Sequence, residues 1–180
     1  MVAHTVYTES IVNVVDVMGE IISSVQSKYD LVNGEKPYFH HGHPLEIINT
    51  LQEYSNSSTL RFKKFPIIAL FEDFESSKNE GVFSSVSKLN LIIATDTLPE
   101  YVASNRYELS FNAILTPIYN LFINELNRSR LVHTQRGSIE HTPINRLYWG
   151  KNGLYGNSGN VFNDYIDAIE IKDLVFKIYR

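Results

Sequence analysis

The chain has 180 residues, a length typical of one domain, and 43% of them are hydrophobic, as in ordinary globular proteins. It has no cysteine, which excludes disulfides, thiolate nucleophiles and cysteine-ligated zinc or iron–sulfur centres. The formal net charge of −4 argues against a general nucleic-acid-binding surface, and no apolar run reaches the roughly 18 residues of a membrane span. The first residues lack a basic segment before an apolar run, so we expect neither a secretory signal nor a membrane partner.

The first strong pattern is an amphipathic helix over about residues 8–29, with Thr8 as its cap. Its apolar residues form one stripe: Ile11, Val14, Val15, Met18, Ile21, Ile22 and Val25. Because many of these are β-branched, packing rather than intrinsic propensity has to stabilise the helix.

An aromatic and histidine-rich loop is predicted over residues 37–44. Pro44 suits the first position of a second helix, Leu45–Tyr54, because a proline there loses no helical hydrogen bond. Leu45, Ile48 and Leu51 should share the buried face of that helix.

Two apolar segments then predict strands. Ile67–Phe71 is typical of a buried strand, and Val82–Thr95 alternates apolar and polar residues before it becomes apolar on both faces. We expect the two to pair as an antiparallel hairpin across residues 78–81.

A third helix is predicted over Arg106–Asn127, kinked or divided in two because Pro117 lies inside it. One or two irregular strands should follow in Val132–Trp149. The final strand, Asp167–Tyr179, changes the parity of its apolar residues near Lys172 and Asp173, which predicts a β-bulge.

The resulting fold class is α+β, with a mostly antiparallel sheet packed against two or three helices in a single domain, residues 1–180. Between the last strands, Gly150–Asn160 contains four glycines and three asparagines. Such a segment has little core of its own, so we expect a long Gly/Asn-rich loop that is extended or ordered by a partner.

Three histidines form the main candidate for chemistry. His40, His41 and His43 could bind a metal ion, completed by His133 or His141, and with Asp73 they would form a small metal-dependent hydrolase. No cysteine, HExxH spacing or adjacent carboxylate supports them, so the preferred assignment is no metal, no cofactor and no catalytic residue.

Other groups give weaker signals. Residues 72–75 are predicted to be a solvated acidic loop, and Ser110, Ser129 and Ser138 lack a nucleophile elbow. No glycine-rich phosphate-binding motif occurs. A basic and aromatic patch, residues 61–65, could touch a nucleic-acid backbone, but we expect its phenylalanines in the core and its charges in water.

Large aromatic and apolar residues next to the Gly/Asn-rich loop favour an interface. Tyr148, Trp149, Leu154 and Tyr155 are the predicted anchors, because such residues on a poorly packed segment often become buried on binding. The alternative is that they fold back on their own sheet. An alternative function is a protein-binding α+β adaptor that acts as a monomer or dimer.

In element order the chain resembles the tail-terminator and neck-ring proteins of tailed bacteriophages, the head–tail connectors. The resemblance rests on residues 64–68 at the start of the sheet, Arg106 with the 111–122 helix, Pro117–Tyr119 and the closing 167–171 strand. The asparagine- and tyrosine-rich composition also resembles structural proteins of crAss-like phages. The histidine-rich segment 40–43 has no counterpart in this family.

The resemblance implies a structural virion protein without catalytic residues or cofactor, assembled in the host bacterial cytoplasm. It further implies a homo-oligomeric ring of six or twelve copies in contact with portal, neck or tail proteins. DNA would pass through its channel without specific binding, which the negative net charge favours.

Overall fold

A computed structural model of the chain describes residues 13–33, 36–77, 83–133, 139–150 and 164–179. Within these ranges it contains three long helices and a mixed sheet of six strands, which confirms the α+β class. The Gly/Asn-rich loop lies outside the described residues, except for Gly150. None of the helices in the described ranges is long and apolar enough to cross a bilayer.

The helices follow the predicted apolar patterns. Helix α1 is Val14–Asn33, and the Asn13 side chain caps it by accepting a hydrogen bond from the Asp16 N–H at 2.7 Å. The predicted cap, Thr8, lies outside the described residues. Helix α2 is Pro44–Asn56, with proline in its first turn as predicted, and a 3₁₀ turn follows at Arg61–Lys63.

Helix α3 runs continuously over residues 103–128 but changes type along its length. Arg106–Leu115 is π-helical and Thr116–Arg128 is α-helical, so the helix predicted to kink or divide at Pro117 stays in one piece and changes type just before that residue. The buried residues differ in spacing accordingly: Arg106, Ser110, Phe111 and Leu115, then Ile118, Phe122, Glu125 and Leu126. The wider spacing before Thr116 suits the broader turn of i→i+5 hydrogen bonding.

The strands are β1 (Tyr38–Gly42), β2 (Ile67–Phe71), β3 (Ser76–Ser77), β4 (Phe83–Asp96), β5 (Thr142–Gly150) and β6 (Tyr165–Tyr179). Their order is β1-β2-β4-β6-β5, with β3 beside β4, and only β1 and β2 are parallel. The predicted antiparallel pairing of β2 with β4 is confirmed. The irregular strand predicted within Val132–Trp149 is β5, which includes Trp149.

Two apolar layers cover the two faces of the sheet. Helices α1 and α3 pack on one face, where Met18, Phe122 and Phe176 are fully buried. On the other face α2 places Ile47 and Leu51 against Ile67 and Ala94. The prediction that Leu45 lies on the buried face of α2 was wrong, because 62% of its surface is exposed and Ile47 takes that role.

The predicted bulge is present in β6. Leu89 pairs with Leu174 and Leu91 with Ile171, so Lys172 and Asp173 stand opposite one residue of β4. Asp173 has φ of 52°, and its N–H donates to Oδ1 of that residue, Asn90, at 3.3 Å. The extra residue keeps apolar side chains on the α1 and α3 face on both sides of the bulge.

The prediction of a loop at residues 37–44 was wrong, because most of it forms β1. This strand pairs in parallel with β2, and α2 makes the crossover between them. The sequence does not reveal this strand, because its five histidine-rich residues show no clear alternation of apolar and polar side chains. Its partner strand also lies beyond an intervening helix.

Candidate functional site

The three clustered histidines are separated by the strand and helix that carry them. His40 faces α2, with its ring centroid 5.8 Å from that of Tyr54. His41 faces the other way, beside Phe39 at 5.5 Å, and its Nδ1 contacts the Glu72 carboxylate. Neighbouring residues of a strand point to opposite faces, so these two imidazoles cannot converge on one ion.

His43 has a local structural role at the start of α2. Its Nδ1 accepts a hydrogen bond from the Leu45 N–H at 3.2 Å, while Glu46 Oε2 accepts from the His43 N–H at 3.3 Å. This reciprocal arrangement is a capping box, in which the imidazole nitrogen replaces the usual hydroxyl or carboxylate. The His43 Nδ1 atom is therefore occupied.

His40 is the most enclosed of the three imidazoles. Its Nε2 atom is buried without a hydrogen-bond partner in the described part of the chain. Burial lowers the pKa of His40 below its ordinary value of 6.5, and the charge of His41 lowers it further. The fold therefore favours the neutral imidazole.

The two candidate completing histidines lie elsewhere. The backbone N–H of His133 donates to the Lys177 carbonyl at 2.8 Å, next to β6. His141 precedes β5, where Nδ1 lies 2.7 Å from the Ile139 carbonyl and Nε2 lies 2.7 Å from the Tyr119 hydroxyl. These contacts place a proton on Nδ1 and make Nε2 the acceptor from Tyr119. Among the described residues, no group of three or more His, Asp or Glu side chains could hold a metal ion.

The acidic segment after β2 is exposed, as predicted for Glu72, Asp73 and Glu75. Of the serines, Ser110 is buried in α3 and the Ser129 Oγ accepts from the Leu131 N–H at 3.3 Å, while Ser138 lies outside the described residues. Within the ranges described, these groups do not assemble into a nucleophile with its base.

The predicted anchors Tyr148 and Trp149 lie at the end of β5, and both are half-buried. Arg146 pairs with Ala168 and Trp149 with Ile166, so two residues of β5 oppose Asp167 and form a second bulge. Tyr148 has φ of 50°, and this backbone turns its ring toward α3 while Trp149 packs on the α2 face. Leu154 and Tyr155 lie outside the described residues, and the interface role of all four remains a prediction.

A buried polar cluster lies directly under Tyr148. Asp167 is fully buried, and its Oδ1 accepts hydrogen bonds from Arg106 Nη1 at 3.1 Å and from the Tyr148 N–H at 2.8 Å. Arg106 also donates to the Thr97 hydroxyl at 2.7 Å and to the Leu98 carbonyl at 2.9 Å. We call these residues the Arg106 cluster.

An aromatic stack covers the Arg106 cluster. The Arg106 guanidinium lies 4.7 Å from the centre of the Tyr148 ring, which stacks on Tyr165 at 5.4 Å with an angle of 12°. Sequence reasoning gave Arg106 and Asp167 no role in any site. The available signal was the Asp167 carboxylate between apolar or aromatic neighbours at residues 165–166 and 168–169.

Exposed apolar residues lie next to this cluster. Among the described residues, six large hydrophobic side chains are exposed, and four of them fall within residues 98–109. They are Leu98, Val102, Tyr107 and Leu109, with exposed fractions of 46%, 61%, 45% and 45%. We call these four the 98–109 apolar surface. Arg106 connects it to Tyr148 by contacting both Leu98 and the tyrosine ring.

The basic and aromatic patch differs from its prediction. Phe62 is 65% exposed instead of lying in the core, whereas the charged residue Lys64 is buried. The Lys64 ammonium pairs with Asp164 at 2.5 Å and contacts the Ser55 hydroxyl, which itself donates to the Leu51 carbonyl at 3.0 Å. Arg61, Phe62 and Lys64 line a cleft of about 770 Å³ at the end of the sheet.

Comparison of the chain with protein-family models, curated proteins and solved structures found no match. Function must therefore be inferred from the Arg106 cluster, the 98–109 apolar surface and the cleft.

Proposed function

We propose that this chain is a non-catalytic structural subunit that assembles into a homo-oligomeric ring at the neck or tail junction of a tailed bacteriophage. The observation that carries the assembly proposal is the 98–109 apolar surface beside the Arg106 cluster. The phage assignment rests on the resemblance in element order. The six or twelve copies, the portal, neck or tail partners and the location in the virion rest on the same resemblance.

The concentration of exposed apolar side chains favours a protein partner. Single exposed apolar residues are normal on soluble proteins, whereas four of them within twelve residues of chain favour an interaction surface. Val102 is 61% exposed, and Tyr107 and Leu109 are each 45% exposed on one stretch of α3. Burying these three side chains against another subunit would stabilise the assembled state.

The surface is also held rigidly before any partner arrives. Arg106 connects α3 to Thr97, Leu98 and Asp167 through three hydrogen bonds. Tyr148 covers the guanidinium from β5. A rigid surface loses less conformational entropy on binding, so more of its contact energy contributes to association.

Identical copies are the partner that this proposal requires. In a ring, each copy presents one surface to a different surface of its neighbour, and rotation closes the circle. Strand β5 forms one end of the sheet order, so its outer edge, as far as the chain is described, has no strand beside it. Tyr148 lies in β5 and contacts the Arg106 guanidinium, which donates to the Leu98 carbonyl, so Arg106 links this edge to the apolar surface and supports their use in one interface.

Light scattering after size exclusion, with electron microscopy of the same fractions, tests the proposal. The wild-type chain should form closed rings. A triple variant, Val102→Ser, Tyr107→Ser and Leu109→Ser, should remain monomeric with an unchanged circular dichroism spectrum. Leu45→Ser is the matched control, because Leu45 is 62% exposed but lies on α2.

A wild-type monomer at all concentrations would contradict ring formation by this chain alone. Assembly of the triple variant at wild-type strength would show that the interface lies elsewhere. The double variant Tyr148→Ala and Trp149→Ala tests the predicted anchors separately. A defined complex with one unrelated protein, without self-assembly, would favour the adaptor instead.

A further inference from the structure

The cleft at the end of the sheet combines features that the assembly proposal does not use. It has a volume of about 770 Å³ and is lined by aromatic rings, cations and carboxylates. Its principal side chains are Tyr38, Phe62, Lys36, Arg61, Asp30 and Asp96. Clefts of roughly 300–1,000 Å³ are typical of small-ligand sites.

The floor of the cleft is a closed polar network. Lys64 is only 7% exposed, and its ammonium is held by the Asp164 carboxylate and the Ser55 hydroxyl. Its ammonium also lies 5.7 Å from the centre of the Phe65 ring. Because these partners occupy Lys64, the floor provides shape and rigidity, and the ligand contacts fall to the residues of the rim.

The rim carries an aromatic platform. The Phe62 ring meets Tyr38 edge to face, with centroids 6.4 Å apart and an interplanar angle of 68°. Phe62 is nevertheless 65% exposed, and besides Tyr38 its ring meets the Lys63 ammonium, which lies 5.9 Å from its centre, so much of the ring still faces solvent. A planar π-system is the ligand group that such a ring binds best.

The charges on the rim supply two further types of contact. Lys36 and Arg61 are exposed cations that form no ion pair within the ranges described, and they suit a phosphate group. Asp30 and Asp96 are exposed carboxylates in the same cleft, and they can accept hydrogen bonds from exocyclic amino groups.

We propose that this cleft binds a nucleotide, either free or as a unit of single-stranded nucleic acid. A nucleotide contains all three complementary groups: a flat base for Phe62, amino donors for the carboxylates and a phosphate for Arg61 and Lys36. An acidic peptide would use the cations but leave the aromatic ring and the carboxylates without matching groups. The proposal is independent of ring formation, since it uses different residues.

Fluorescence anisotropy with a labelled single strand of about twelve nucleotides provides the test. The wild-type chain should bind it saturably, and Phe62→Ala should weaken binding about tenfold, the usual effect of losing one base–aromatic stack. Arg61→Gln should make the salt dependence shallower by about 0.7 in the log–log slope, as expected for one lost phosphate contact.

Matched controls separate this site from general charge effects. Lys88→Gln removes an exposed cation in the middle of β4, eight residues before the cleft residue Asp96, and Tyr107→Ser removes an exposed ring from the assembly surface. Both variants should bind the labelled single strand with an affinity within about twofold of that of the wild-type chain. Phe62→Ala should conversely assemble normally, so failure of one proposal is distinguishable from failure of the other.

Competition identifies the source of the ligand. Displacement of the strand by free AMP would support a mononucleotide site, whereas displacement only by unlabelled oligonucleotide would support a single-strand site. Absence of saturable binding would overturn the proposal. The proposal would also be overturned if the chain bound duplex DNA as tightly as the single strand and Phe62→Ala bound with wild-type affinity. The contact would then be charge attraction without base stacking.

Discussion

Arg106 and Asp167 form a buried ion pair, with Nη1 3.1 Å from Oδ1, although 61 residues separate them in the chain. Their side chains are 6% and 0% exposed. The pair joins the start of α3 to the start of β6 and positions the 98–109 apolar surface. Asp167 Oδ2 is also buried but has no partner in the part of the chain that is described.

We predict that breaking this pair strongly destabilises the fold. Asp167→Ala or Arg106→Leu leaves one buried charge uncompensated, and each should lower the free energy of unfolding by about 3–5 kcal/mol. The double variant should lose clearly less than the sum of the two, because neither charge remains. Urea denaturation measures all three.

Arg128→Ala is the control for the pair, because the Arg128 side chain is 72% exposed in its contact with Glu125. Arg128→Ala should change the free energy of unfolding by no more than about 0.5 kcal/mol. Strict additivity of the two single variants would argue against direct coupling between Arg106 and Asp167.

The bulge in β6 gives a second prediction. Asp173 is exposed and has φ of 52°, a conformation that strains β-branched residues. Asp173→Val should therefore lower the free energy of unfolding by about 1–2 kcal/mol, whereas Asp173→Gly should stay close to wild type. Thermal and urea unfolding should rank the two variants in this order. Equal effects of both substitutions would contradict the positive φ.

The third prediction concerns acid stability and His40. Its folded-state pKa lies below its ordinary value of 6.5, mainly because of burial. As the pH falls below that value, the unfolded chain takes up a proton that the folded chain resists, so stability is lost. His40→Phe should remove this contribution.

The check on His40 is a series of unfolding experiments between about pH 7 and about pH 5. Wild type should lose stability faster than His40→Phe, by at most about 1.4 kcal/mol per pH unit, the limit for one proton. Parallel pH profiles for the two proteins would contradict the prediction.

The fourth prediction concerns Tyr119, whose hydroxyl donates to His141 Nε2 at 2.7 Å. Tyr119→Phe should lower the free energy of unfolding by about 1 kcal/mol near neutral pH, the usual net value of one hydrogen bond. Burial raises the pKa of Tyr119 above 10.0, so this contribution is present below that pH and is lost as the pH rises through the folded pKa.

Alkaline unfolding curves of wild type and Tyr119→Phe measure that loss. The stability difference between the two proteins should narrow above about pH 10. A constant stability difference between the two proteins across the alkaline range would contradict the prediction, because it would show that ionisation of the Tyr119 hydroxyl is not coupled to unfolding.

Local patterns were sufficient for most of the elements. The stripe of α1, the alternation of β4 and the parity change in β6 each involve neighbouring residues, so their outcome depends little on distant parts of the chain. Pro117 similarly indicated an irregularity in α3, found as the change of helix type just before it, because its missing N–H acts within its own helix.

The candidate sites were less predictable. His40, His41 and His43 are close in sequence, yet a strand and a cap direct them to three different places. Phe62 and Lys64 exchanged their expected environments, because Lys64 found a carboxylate, Asp164, that lies 100 residues away. No local pattern identifies such a partner.

Periodicity within single elements was enough to predict the apolar faces of most elements and the bulge in β6, and the order of the elements was enough to predict the α+β class. Only the tertiary structure joined Arg106 to Asp167, paired β1 with β2 and left Phe62 exposed beside a cleft. The physical reason is that burial and ion pairing depend on which distant residues the sheet register and helix packing bring within a few ångströms.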